Sequence, residues 1–137
     1  MRGGLSLVLV RMGGRPCAIP SARIVEIVPR LNLDHIPDAP AEVLGVMNLR
    51  GRVVPVMDVR AHVAGRELES HTYQHLVVVD VGDRQVGLAV EDVQDVVEIS
   101  PDAIEKPGDL TGNQSPGVVR IKDEMVLVIS PEDVIHA

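Results

Sequence analysis

Short apolar runs separated by turn-forming residues recur along the whole chain. Residues 5–10 form one run, a Gly-Gly pair follows at 13–14, and residues 15–19 form the next run. Two apolar runs joined by such a pair predict a β-hairpin. The same pattern predicts two more hairpins, 76–81 with 85–90 and 117–122 with 125–129, and a strand at 93–99. It also gives two strand-like runs, 45–49 and 52–58, around Arg50-Gly51.

Helical signals are few and short. Ser21 suits a helix N-cap, and apolar residues recur at helical spacing within 22–28 before Pro29, which predicts one short helix. Residues 41–44 predict a single helical turn. Residues 130–133 read Ser-Pro-Glu-Asp, which is typical of a helix start because the serine caps and proline suits the first helical position.

The count of elements predicts an all-β fold. About eight to ten short strands without a long crossover helix exclude a doubly wound parallel sheet and favour small barrels or a sandwich. Each half of the chain carries a similar number of strands, so we predict two packed small barrels that divide near residue 70. The composition agrees, because the chain has 25 valines, lacks Trp and Phe, and has Tyr73 as its single aromatic residue.

Charge and cysteine content narrow the class of protein. The formal net charge of −7 argues against binding to nucleic acid or to an anionic lipid surface, both of which need a cationic face. Cys17 is the single cysteine, so we expect a buried, inert thiol and no intramolecular disulfide. No apolar run is long enough to span a membrane, and no leader cleavage pattern is present, so we expect a cytoplasmic protein.

Catalytic and metal-binding motifs are hard to find. The chain has no Gly-x-Ser-x-Gly or Ser-x-x-Lys sequence, and residues 108–113 lack the Lys and Ser/Thr of a phosphate loop. His71 and His75 are four positions apart but have no adjacent Cys and no His-Glu-x-x-His pattern, so we predict no metal and no cofactor. We interpret the acidic residues Glu91, Asp92 and Asp95 as a solvated strand end. A small-ligand enzyme with its site in a barrel stays an alternative.

The segment 45–60 holds the most informative residues. Gly51 permits positive φ, so the chain can reverse after Arg50 and present this side chain at the tip of a turn between two apolar strands. A guanidinium there offers five donors to carboxylates or backbone carbonyls. The alternative interpretation is an exposed arginine that serves solubility alone.

This segment resembles the signature of the CheW-like domain, with Asn-Leu-Arg-Gly at 48–51 and Pro-Val-x-Asp at 55–58. Residues 24–27 resemble the family's short helix that carries a Glu, residues 86–93 its Val-Gly-Leu motif, and residues 117–129 its last hairpin. The resemblance covers residues 5 to about 135. It implies one domain over 1–137 built from two SH3-like five-stranded barrels on a shared core. The first barrel would span about 15–70 and the second about 71–135, with the N-terminal strand free to cross between them.

The resemblance also implies a function. The family provides non-enzymatic adaptors that bridge chemoreceptor cytoplasmic tips to the regulatory domain of a CheA-type histidine kinase, in the cytoplasm at membrane receptor arrays. A scaffold of the same family in a non-flagellar pathway, with surface motility or a second messenger as output, is the alternative. A receptor helix would lie in an apolar groove between the barrels. The matching partner-binding residues are Ile24, Glu26, Ile27, Gly45, Val46, Arg50 and Val93.

Two of these positions carry specific expectations. Glu26 and Arg50 are expected to pair across the surface and to orient the contact. Gly45 has two interpretations: a glycine with positive φ at the end of the helical turn 41–44, or a missing side chain that lets a partner helix approach. One departure from the family is Glu91, which stands where Asp is usual.

Overall fold

Ten strands account for more than half of the residues that the computed structural model describes, which are 4–65, 67–68, 72–106 and 117–135. The strands are β1 (Leu5–Met12), β2 (Arg15–Pro20), β3 (Ile24–Pro29), β4 (Val43–Leu49), β5 (Arg52–Met57), β6 (His75–Val81), β7 (Arg84–Val90), β8 (Asp92–Ile99), β9 (Gly117–Ile121) and β10 (Glu124–Val128). Two short helices, α1 (Arg60–Ala64) and α2 (Pro131–Val134), follow β5 and β10. Two 3₁₀ turns lie at Ser21–Arg23 and Pro101–Ala103.

The strands form two five-stranded sheets, which confirms the all-β prediction. The order in the first sheet is β8-β1-β2-β10-β9, and in the second sheet it is β3-β6-β7-β5-β4. The predicted hairpins all form, but the sheets do not divide near residue 70. Residues 24–90 supply the whole second sheet, and the N-terminal hairpin joins the C-terminal strands. Turn residues mark which strands form hairpins, but they carry no information about which hairpins pair with each other.

The two sheets share one topology. In each, an edge strand (β3 or β8) pairs antiparallel with a hairpin (β6–β7 or β1–β2), whose second strand pairs in parallel with another hairpin. The registers correspond as well, because Glu26 faces Val78 and Asp95 faces Leu9 at equal distances from the two hairpin turns. Each residue of the second sheet therefore has a structural counterpart in the first.

Isolated bridges cover the outer edge strands. Asp34 exchanges two backbone hydrogen bonds of 2.9 Å with Val46 on β4. Glu105 exchanges two of 2.8 and 2.7 Å with Val118 on β9. In both sheets the bridging residue comes from the segment that leaves the opposite edge strand, so each sheet curls towards a closed barrel and hides part of one edge.

Central strands bury both of their faces, and the alternation of side chains builds three clusters. On β1, Leu7 points into a cluster enclosed by the first sheet, whereas Val8 and Val10 point to the cluster between the sheets. On β6, Leu76 and Val78 belong to a cluster enclosed by the second sheet. We call the cluster between the sheets the inter-sheet core. Its fully or nearly fully buried members are Val8, Val10, Met12, Cys17, Ile19, Val59, Val77, Val79, Val86, Leu88, Val90, Ile129 and Ile135.

The helix predicted over residues 22–28 is wrong. A 3₁₀ turn at Ser21–Arg23 is followed directly by β3, which pairs with β6. Four of the first five residues of β3 are branched at Cβ, and the pairing with β6 outweighs the helical spacing that they happen to show. The helical turn at 41–44 is wrong too, because β4 begins at Val43. The helix start at 130–133 is confirmed by α2, with Ser130 at the N-cap position, but the expected cap by the serine side chain is wrong because that side chain makes no capping hydrogen bond.

Among the described residues, no helix combines the length and the apolar character needed to cross a bilayer.

Candidate functional site

The β4–β5 turn presents Arg50 at its tip, as predicted. Arg50 and Gly51 have φ values of 53° and 82°, so both central residues lie in the left-handed region. The Gly51 N–H donates to the Asn48 side-chain oxygen at 2.8 Å, which holds the turn. The Arg50 side chain is 69% exposed, and its Nη1 forms an ion pair with the Glu26 carboxylate. The expected pairing of these two charges is confirmed.

This ion pair joins the two ends of the second sheet. Glu26 lies on β3 and Arg50 follows β4, and these strands stand at opposite edges of that sheet. The pair therefore adds to the closure that the Asp34–Val46 bridge begins. An ion pair with one partner this exposed contributes about 0–1 kcal/mol to folding, so the two charges contribute little to the stability of the fold.

The apolar positions of the predicted site fall on both sheets. Ile24 on β3 and Val93 on β8 are half-buried, and both pack against the inter-sheet core. They are structural counterparts, since each pairs with the equivalent residue of its hairpin, Val79 or Val10. Ile27, also on β3, is 36% exposed. The structure thus places one predicted contact on each side of the junction between the sheets.

Gly45 is buried inside β4, at an irregularity of its pairing with β5. Its φ of 151° lies in a region that L side chains rarely adopt. A Cβ atom there would stand 2.5 Å from the Asp34 carbonyl oxygen and 3.1 Å from the Leu33 Cβ. The close approach at Gly45 is therefore made by the chain's own segment, which also pairs with Val46. A helix-terminating role is excluded, and contact with a partner stays a prediction.

A network around Arg60 was missed by the sequence analysis. The Arg60 side chain is fully buried, and its Nε and Nη2 donate to the two Asp58 carboxylate oxygens at 2.9 and 2.8 Å. Its Nη1 donates to the Thr72 carbonyl and to the Glu91 carboxylate, both at 2.8 Å. The hydrogen bonds that the guanidinium donates to the Asp58 carboxylate hold its pKa above the ordinary value. A permanently charged fork suits a buried two-carboxylate site better than lysine would.

Glu91 carries this network to the other sheet. Its two carboxylate oxygens accept hydrogen bonds from the backbone N–H groups of Gly13 and Gly14, at 3.0 and 3.1 Å, in the β1–β2 turn. The interpretation of Glu91 as part of a solvated acidic patch is therefore wrong, although Asp92 and Asp95 are exposed. Two features of the sequence could have indicated this network. Asp58-Val59-Arg60 directly follows a strand, and Glu91 is an acidic residue at a position where the family usually has Asp.

An apolar groove of about 870 Å³ lies on the second sheet beside α1. Its apolar lining includes Val43, Leu44, Met57, Val86 and Ile135, and its polar lining residues are Glu42, Asp58, His62 and Arg84. None of the seven predicted contact residues lines this groove. The predicted partner groove and this groove are thus different surfaces.

The Arg23–Glu132 ion pair links the 3₁₀ turn before β3 to α2. Arg23 Nη1 donates to Glu132 at 2.9 Å, and Arg23 Nη2 donates to the Asp80 carbonyl at 2.7 Å. The hydrogen bond from Arg23 lowers the pKa of Glu132. The two side chains are 28% and 52% exposed, so this pair is a solvated counterpart of the buried Arg60 network.

The part of the chain that the structure describes contains no group of three or more His, Cys, Asp or Glu side chains that could hold a metal ion. His75 is among the described residues, whereas His71 and most of the 101–116 loop, from 107 onwards, lie outside them.

Burial makes Cys17 unreactive, and we expect it to resist alkylation in the native protein. Its side chain is fully buried in the inter-sheet core, and this burial raises the pKa of the thiol to about 11. Because the thiolate is the nucleophile, iodoacetamide at pH 8.5 should label less than about one-tenth of the native protein while labelling the urea-unfolded chain fully. Mass spectrometry measures both fractions. Rapid labelling without denaturant would show that Cys17 is accessible and activated.

Comparison with known proteins places these features in a family. The CheW-like domain matches residues 6–137. The chemotaxis protein CheW of Rhizobium meliloti (strain 1021) is 30% identical over 136 residues, which cover 96% of this chain and 88% of that protein. The chemotaxis protein CheW of Helicobacter pylori (strain ATCC 700392 / 26695) is 27% identical over 127 residues, covering 90% and 77%.

A solved structure shares the fold. The scaffolding protein TtCheW from Thermoanaerobacter tengcongensis superposes with a TM-score of 0.84 at 22% sequence identity. The match covers 100% of this chain and 91% of that chain. The arrangement of two five-stranded sheets is therefore common to both proteins.

Proposed function

Since this chain belongs to the CheW-like domain family, we propose that it is a non-enzymatic adaptor that couples chemoreceptors to a CheA-type histidine kinase. The observation that carries the proposal is the family match over nearly the whole chain, together with relatives that are named chemotaxis protein CheW. The alternatives of a non-flagellar scaffold and of a barrel enzyme have no comparable support.

The architecture supports an adaptor because two sheets of like topology offer two like surfaces. One carries the Glu26–Arg50 ion pair, and the counterpart positions in the other carry Asp95 and Lys122, 3.7 Å apart. A coupling protein has to hold two partners at once, and a duplicated fold provides two separate faces for that purpose.

The proposed partners are the cytoplasmic tip of a chemoreceptor and the regulatory domain of the kinase. The receptor helix would contact Ile24, Ile27 and Val93 beside the junction between the sheets, with Glu26 and Arg50 orienting it. We place the protein in the cytoplasm at receptor arrays. The direct test is titration of the purified protein with a receptor cytoplasmic fragment and, separately, with the kinase regulatory domain. Binding to neither would exclude the coupling function.

We expect Arg50→Ala to weaken binding of the receptor fragment while leaving the fold intact. The side chain is exposed and its single ion pair is solvated, so the free energy of unfolding should change by about 0.5 kcal/mol. Loss of one partner of a charge contact that is desolvated in a complex costs about 2–5 kcal/mol, so the dissociation constant should rise at least about tenfold. Thermal melting and calorimetric titration measure the two quantities.

Arg52→Ala is the matched control. Arg52 is exposed in the same hairpin and donates to the Gln85 side chain, so its removal changes the net charge equally. The double variant with Glu26→Arg and Arg50→Glu adds a second test. It preserves the intramolecular ion pair but reverses the sign of the charge that a partner contacts at each position. If the double variant and Arg50→Ala both bind the receptor fragment and the kinase domain normally, the pair lies outside the binding surfaces.

A further inference from the structure

The chain passes between the two sheets at Glu91. β7 of the second sheet ends at Val90 and β8 of the first sheet begins at Asp92, so Glu91 is the connecting residue. Its backbone N–H donates to the Arg11 carbonyl on β1 at 2.9 Å. Its carboxylate, as described above, is held by Arg60 from the second sheet and by the Gly13 and Gly14 N–H groups of the first.

Close packing at the same point provides an independent observation. Gly13 lies against α1, and a Cβ atom on it would stand 2.7 Å from the Arg60 carbonyl oxygen and 2.8 Å from the Ala64 Cβ. The β1–β2 turn therefore touches α1 backbone to backbone, which only a residue without a side chain allows. Contact and charge together fix the first sheet against the second at this end of the inter-sheet core.

We infer that Glu91, clamped between Arg60 and the Gly13-Gly14 turn, is a positioning residue for partner binding: it sets the relative placement of the two sheets and so aligns Ile24 on one with Val93 on the other. The inference rests on the proposed function, which takes those two residues as contacts of one receptor helix. A shift of one sheet against the other would separate them without unfolding either sheet. Glu91 itself acts through this placement, because its carboxylate is occupied within the protein.

The other crossing between the sheets offers a matched control. There Arg23 and Glu132 also form an ion pair across two elements, but the pair is exposed. Its guanidinium is partly exposed instead of fully buried, and the backbone N–H that donates to the Glu132 carboxylate is that of Glu132 itself, so this donor joins no second element. Glu132→Gln should therefore remove a pair of similar charge with no effect on the placement of the sheets.

The experiment compares Glu91→Gln, Glu132→Gln and Val54→Ala with the wild type. Val54 is buried in the cluster enclosed by the second sheet alone, so its truncation lowers stability without touching the junction. Each variant is titrated with the receptor cytoplasmic fragment at a temperature where all are folded, and methyl spectra report the surroundings of Ile24 and Val93. Glu91→Gln should bind at least tenfold more weakly and shift both methyl environments. The two controls should bind within twofold of the wild type with unshifted Ile24 and Val93 signals.

The outcomes separate the two proposals. Receptor binding by Glu91→Gln within twofold of the wild type overturns the inference, and so does an equal loss of binding in Val54→Ala, which would reflect stability alone. If the wild type itself does not bind, the proposed function fails, and the methyl shifts of Glu91→Gln then decide whether Glu91 places the sheets. Should Glu91→Gln not fold, Gly13→Ala, whose Cβ would press on the Arg60 carbonyl oxygen at the same junction, takes its place with the same criteria.

Discussion

Replacing Arg60 by Met is expected to lower the free energy of unfolding by about 3–5 kcal/mol, because it leaves two carboxylates without their buried partner. Arg60 is fully buried, while Asp58 and Glu91 are only 14% and 28% exposed. Met reproduces the arginine side chain as far as Nε and keeps the apolar contacts of that part, so the loss reports the missing guanidinium. Urea unfolding followed by far-ultraviolet circular dichroism measures it.

Arg23→Met is the control for that result. It removes an arginine of the solvated pair with Glu132, for which a change of about 0–1 kcal/mol is expected. A second comparison adds Asp58→Asn and Glu91→Gln to Arg60→Met. Since these changes remove the unpaired charges, the triple variant should regain part of the lost stability. A loss below about 1 kcal/mol in Arg60→Met would show that water or local rearrangement solvates both carboxylates.

Local features of the fold were predictable from the sequence, and long-range features were not. The four hairpins follow from glycine and Asp-containing turns between apolar runs, which act over a few residues. The assignment of the N-terminal hairpin to the sheet of the C-terminal strands depends on contacts between residues about 80 to 110 positions apart, such as Leu9 with Asp95 and Ala18 with Val128. No pattern in one sequence encodes such a pairing.

Two further errors have physical causes. The segment 22–28 satisfies helical spacing and β composition together, and the pairing of β3 with β6 decides between them. Arg60 was overlooked because arginine is almost never fully buried unless it is paired, and its partners at 72 and 91 are distant in sequence. By contrast, Arg50 and Glu26 were found, since a turn tip can be located from Gly51 and the family resemblance supplied the partner.

The predicted contact positions differ in whether the fold itself explains the residue that occupies them. Arg50 is exposed, has the positive φ of its turn, and is paired with Glu26. Folding does not need this charge, which lies on the surface. Gly45 is the opposite case, because the interior of the second sheet already explains its lack of a side chain. At Gly45 the sequence alone did not decide whether the protein's own backbone or the approach of a partner requires glycine, and substitution distinguishes the two.

Gly45→Ala is expected to lower the free energy of unfolding by about 3 kcal/mol, of which about 1–3 kcal/mol reflects the unfavourable φ and the rest the collision with the Asp34 carbonyl. The collision is with backbone, so no side-chain rotation relieves it, and the Asp34–Val46 bridge must open instead. Urea unfolding measures the loss, and weakened amide-exchange protection at Val46 locates it.

Substitutions at two other glycines separate the cost of the unfavourable φ from the cost of the collision. Gly51 has a positive φ but nothing within 4 Å of its Cβ position, so Gly51→Ala should show the conformational cost alone, about 1 kcal/mol. Gly117 is the counterpart of Gly45 in the first sheet and lacks the positive φ; its Cβ would meet the Ile104 Cγ2 at 2.5 Å, the end of a side chain that can move. Gly117→Ala should therefore cost less than Gly45→Ala. If Gly45→Ala instead melts with the wild type and loses only receptor binding, the missing side chain serves the partner and the apparent collision is absorbed by the loop at residues 33–34.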